Sequence, residues 1–100
     1  MTNTNTQTIE VGTQATGRFS TDCYPFEVIN VTKSGKTITI REMNAQPTAD
    51  YDYFQNQSHT FSSDENGRTH TVRKGKFGWK TPSGMSVSFG FARKYSDPQY

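Results

Sequence analysis

Cys23, His59 and His70 are the residues of this chain best able to support covalent or metal chemistry, and their spacing supports neither. A thiol nucleophile needs a base to take its proton, yet nothing in the sequence ties Cys23 to either imidazole. Cys23 stands before Tyr24-Pro25 at the start of a β-prone run, where a small half-buried thiol serves packing. Two histidines are too few for a metal centre, and no carboxylate stands at ligand spacing from either; each reads as a strand-face residue. Asp22, Glu27, Glu42, Asp50, Asp52, Asp64 and Glu65 form no pair that singles out a general acid and base. The expectation is a protein that is not an enzyme and carries no cofactor or metal.

Charge segregation is the stronger signal. Between Asn66 and Ser96 the chain holds Arg68, Arg73, Lys74, Lys76, Lys80, Arg93 and Lys94 and no acidic residue, with Phe77, Trp79, Phe89, Phe91 and Tyr95 among them. Guanidinium forks bind phosphate and flat rings stack on bases, so cations interleaved with aromatics suit a ligand carrying both. On that reading Arg73, Lys76, Lys80 and Arg93 clamp phosphates, while Trp79, Tyr24, Tyr95 or the loop residue Tyr53 stacks on a base. The competing reading makes Phe77, Phe89 and Phe91 core residues and leaves the Lys74-Gly75-Lys76 turn simply solvated.

The elements that position these residues are strands. The chain has 100 residues, room for one domain. Leu is absent, Ala is scarce, Thr occurs 15 times and aromatics make up 13% of the chain, a composition suited to a pleated, half-buried surface. Short β-like runs alternate with turn signals from Ile9 onward, as in a sandwich or small barrel. In residues 24–42, Ile38 and Ile40 alternate with Thr37, Thr39 and Arg41, and Lys33-Ser34-Gly35 fits a hairpin turn in which Gly35 takes positive φ. Phe26 and Val28 share one face while Ile29 and Val31 share the other, which predicts a bulge near Val28 or a strongly bent strand. Such a bent hairpin suits an SH3-like barrel; the fold class is all-β, a small SH3-like barrel or a compact antiparallel sandwich.

A second hairpin is expected over residues 69–80, with its turn at Gly75. A strand is expected over 86–92, with Val87, Phe89 and Phe91 inward and Gly78 and Gly90 marking corners. Residues 44–58, with Tyr51, Tyr53 and Phe54, read as one long loop, either a surface loop pinned by its aromatics or a functional one. Residues 1–8 read as a disordered tail before a single domain spanning 9–100. The ending, residues 92–100, is either a lid over a pocket or packed down through Tyr95 and Tyr100. One cysteine excludes a disulfide framework, and neither a signal-like segment nor an apolar run of membrane length is present; a reducing cytosol is the expected setting.

Val11 to Glu42, then ENGRTHTVRKGKFGWK, and then the ending RKYSDPQY together resemble a group of small proteins encoded by tailed bacteriophages. The shared features are a Gly-rich opening, Asp-x-Tyr-Pro at a strand start, a Gly-Lys hairpin ending in Arg-Glu, an Asn-Gly element, an aromatic-Lys/Arg strand and a closing Tyr-x-Asp-Pro-aromatic. This chain departs by placing Gln99 before Tyr100. The resemblance implies a phage accessory protein in the cytoplasm of the infected host. By size and composition it is similar to proteins that sequester cyclic nucleotide signals released by host anti-phage defence. A small anionic cyclic nucleotide held by a homo-oligomer is therefore the leading expectation. Nucleic-acid binding through the same basic strip, or protein-binding inhibition of a host factor, stand as alternatives.

Overall fold

The computed structural model describes residues 9–76 and 78–96. The expected N-terminal tail, the inward placement of Phe77 and the packing of Tyr100 lie outside them. Among the described residues there are eight strands: β1 Gln14–Phe19, β2 Asp22–Val31, β3 Thr37–Glu42, β4 Asn44–Pro47, β5 His59–Ser62, β6 Thr69–Gly75, β7 Gly78–Lys80 and β8 Ser86–Phe89. Six of them close into an antiparallel barrel in the order β1-β2-β3-β6-β7-β8, with β8 returning to β1. The architecture is that of a small SH3-like barrel rather than a sandwich. Among the described residues no helix is long and apolar enough to cross a membrane.

The two-residue period explains the wall. Phe26, Val28, Ile38, Ile40, Val72, Val87 and Phe89 fill the interior together with Ala15 and Met85. Fully burying one such Val, Ile or Phe contributes about 1.5–3 kcal/mol, enough to choose the register that points these residues inward. The long hairpin forms as expected, with Gly35 at φ 73° and a register shift between Val28 and Asn30. Ile29 is the extra residue; it lets the inward pattern change phase without breaking the β2–β3 ladder.

Two expectations need correction. Residues 44–58 are not a single loop, because Asn44–Pro47 pairs with His59–Ser62 as a separate two-stranded arm. Backbone pairing holds that segment without the apolar alternation by which a buried strand is recognised in sequence. The last strand also ends early. Gly90 sits at φ 114° and turns the chain off the wall, so Phe91 is 47% exposed instead of inward.

Gly17 occupies the tightest point of the interior. A Cβ there would lie 2.6 Å from both Met85 Sδ and Phe26 Cε2, well inside contact distance. Gly17→Ala is therefore expected to cost about 2 kcal/mol by overpacking, lowering Tm by roughly 8–16 °C for a domain of this size. A thermal melt followed by circular dichroism checks this, and an unchanged Tm would show that Met85 can move aside.

Candidate anion-binding site

The β6–β7 hairpin brings two of the expected phosphate ligands together. Arg73 and Lys80 are direct cross-strand partners, both on the outer face and both exposed. They line a concavity of about 320 Å³ with Lys74, Gly75, Thr81 and Pro82. Its floor is rigid for a local reason. Buried Thr81 organises the turn into β8: its hydroxyl accepts from Met85 N–H at 3.1 Å, and its carbonyl accepts from Gly84 N–H at 3.0 Å. Like charges placed directly opposite on a sheet repel, and among the described residues neither Arg73 nor Lys80 forms an ion pair.

The pair belongs to a longer row. Lys80 also pairs with Ser86, Ser86 with Arg18, and Arg18 with Cys23. On the other side Arg73 pairs with Thr37. One row of registered partners thus runs Cys23, Arg18, Ser86, Lys80, Arg73, Thr37 across six strands, climbing the barrel as it goes round, so that Thr37 ends beside Thr32, past the end of β2 opposite to Cys23. The next outward positions, Thr16 and Ser88 on one side and Thr39 and Thr71 on the other, carry no charge. Two acidic residues of the wall have basic neighbours: Arg41 Nη2 meets Glu27 Oε1 at 3.0 Å, and His70 stands 3.7 Å from Glu42.

Arg93 and Tyr95 reach the other end of this row through the segment that follows β8. Thr16 Oγ1 donates to the Phe91 carbonyl at 2.8 Å, carrying the chain across β1. Cys23 N–H then donates to the Tyr95 carbonyl at 2.8 Å, and Tyr95 N–H returns to Cys23 at 3.0 Å. The Gln57 side-chain amide completes the strap: its Nε2 donates to the Ser96 carbonyl at 2.7 Å, and its Oε1 accepts from Ser96 N–H at 2.9 Å. Arg93 lies over the Tyr95 ring at 5.3 Å. Both line a second concavity, of about 380 Å³, with Arg18, Ser20, Thr21 and Cys23. The free cysteine is buried, and it borders this hollow as a wall residue.

The remaining expected ligands fall elsewhere. Tyr24 faces Lys94, whose Nζ is 5.1 Å from the ring centroid, in a third concavity of about 420 Å³ that also contains Glu42. Trp79 packs edge-on against Phe89 at 5.4 Å and supports the core, so its ring does not join the outer row. Tyr53 packs on Phe54 at 5.0 Å in the loop that carries Asp50 and Asp52. There the Thr48 hydroxyl, the Asp50 backbone amide and the Asn56 side chain hold the Asp50 carboxyl below the usual carboxylate range. Lys76 sits exposed in the β6–β7 connection and has an interaction of its own. The predicted set therefore divides among several surfaces instead of meeting in one hollow. Arg18 was not among the expected ligands, because the acidic-free run that drew attention to the others begins far beyond it in the chain. No protein-family model, curated protein or solved structure matches this sequence.

Two outcomes test this geometry. Lys80→Ser is expected to raise stability by a few tenths of a kcal/mol to about 1 kcal/mol at low ionic strength by relieving the cross-strand repulsion. The gain should vanish near 1 M salt, where the screening length is about 3 Å; chemical denaturation at the two salt concentrations reads the difference. Gln57→Ala removes both clamps on Ser96, and losing roughly 1–2 kcal/mol of hydrogen bonding should raise opening of the strap about 5–30-fold. Faster labelling of Cys23 by an aromatic disulfide reagent, measured well below Tm, would report that opening.

Proposed function

We propose that this protein is a non-catalytic binder that captures a small anionic nucleotide, its phosphate seated between Arg73 and Lys80. The observation that supports this reading is the unneutralised cross-strand pair at the mouth of a concavity with a firm floor. Two cations held opposite each other destabilise the empty barrel, and a phosphate group between them turns repulsion into two charge-assisted contacts. The resemblance to phage accessory proteins suggests a cyclic nucleotide signal of host defence as the ligand and the infected cell's cytoplasm as the setting. A homo-oligomer fits the same reading: the concavity of one chain is shallow, and tight capture of a small molecule requires most of its surface to be enclosed.

Mass spectrometry of the small molecules released by heat, after incubation with a panel of linear and cyclic nucleotides, tests the proposal. Retention of one intact nucleotide is expected. Arg73→Glu and Lys80→Glu should each abolish that retention without lowering the melting temperature, which rises by a few degrees because each new carboxylate faces a cation across the strands. Release of a chemically altered nucleotide would overturn the non-catalytic reading, and an unaffected Lys80→Glu variant would overturn the site.

A further inference from the structure

We infer that the cationic row is a track for a linear single-stranded nucleic acid, in which Arg73 and Lys80 form one phosphate subsite and Arg18, Arg93 and Tyr95 form a second. The inference rests on the proposed phosphate grip at Arg73 and Lys80 and extends it around the barrel.

Strand register places the two subsites on one row of partners that winds half-way round the six-stranded wall from β1 to β6. Arg18 is separated from Lys80 only by Ser86, and Lys80 adjoins Arg73. With neighbouring strands roughly 4.8 Å apart, Arg18 and Arg73 stand about 14 Å apart along the wall. That span exceeds what one phosphate group can bridge, so a ligand using both ends must carry several. Arg18 and Arg73 are exposed and, like Lys80, make no ion pair among the described residues. Ser86 between them offers a hydroxyl without a competing charge.

The far end supplies what a single strand needs besides charge. Arg93 and Tyr95 present a guanidinium and a ring beside Arg18, and unpaired bases stack on such planar groups whatever their sequence. A duplex hides its base faces and has no use for such a stacking platform.

Fluorescence anisotropy with a labelled oligothymidine of about 15 nucleotides, near the upper site size of one small barrel, tests the track. Two phosphate subsites predict a plot of log affinity against log salt with slope about −1.4 for a single strand, reduced by about 0.7 when one subsite is lost. Arg18→Ser should weaken oligonucleotide binding about 5-fold or more and flatten the slope, while retention of the small nucleotide by Arg73 and Lys80 is unchanged. Oligonucleotide binding and slope unaffected by Arg18→Ser would overturn the track and leave the nucleotide site standing. Equal affinity for the same sequence as a duplex would overturn the single-strand assignment. Loss of small-nucleotide retention in Arg18→Ser would overturn the division into two subsites. A parent protein that retains a nucleotide but binds no oligonucleotide ends the track alone; one that binds neither ends both.

Discussion

Closure of β8 onto β1 is the constraint on which the rest of the molecule depends. Ala15 opposite Phe89 and Gly17 opposite Val87 bring small residues against large ones, so the wall can curve tightly around Phe26 and Met85. A one-residue slip would turn Val87 and Phe89 to solvent and carry Ser86 and Ser88 inward, an exchange of buried hydrocarbon for unsatisfied hydroxyls. With the register held by the core, the outward positions follow without further choice. Arg18, Lys80 and Arg73 then fall on one winding row of registered partners although they come from three strands.

A closed barrel has no free edge except where one strand outruns its neighbour. The start of β2 extends past β3, whose pairing with β2 begins at Phe26 and Glu42, and the exposed backbone of Cys23 is paired by Tyr95 instead. The strap therefore does two things at once. It satisfies an edge that would otherwise present open hydrogen-bonding groups, and it delivers Arg93 to the end of the row occupied by Arg18. Gln57 ties this strap to the loop between β4 and β5, while Ser63, just beyond β5, donates to Glu27 on the barrel wall at 2.9 Å. The arm is thus anchored to the wall and to the strap, with its anionic loop bearing exposed Phe54 at the tip.

The electrostatics divide along the same lines. Glu27 is paired with Arg41 and Glu42 has His70 beside it, whereas the outer row is left without counter-charge among the described residues. A sequence under pressure only for stability would place an acid or a neutral residue opposite Arg73, since neighbouring like charges lower stability for no structural return. A local rule broken at an otherwise consistent wall is where function is most economically sought.

Local patterns in the chain were enough to determine the all-β class, an irregularity near Val28 in the β2–β3 hairpin, the positive φ of Gly35 and the existence of the β6–β7 hairpin, because each depends on side-chain alternation or on the conformational range of one residue; that Ile29 is the extra residue, and that Gly75 ends β6 with the turn beginning only at Lys76, came from the structure. The segregation of cations into the later part of the chain was equally visible. Arg18 as a neighbour of Lys80, the departure of Phe91 from the wall, the pairing of Asn44–Pro47 and the Gln57 clamp were decided only by the tertiary structure. Each depends on which backbone lies beside which. That is set by the packing of Phe26, Met85 and Phe89 across the closed barrel, an interaction between distant parts of the chain that no local pattern encodes.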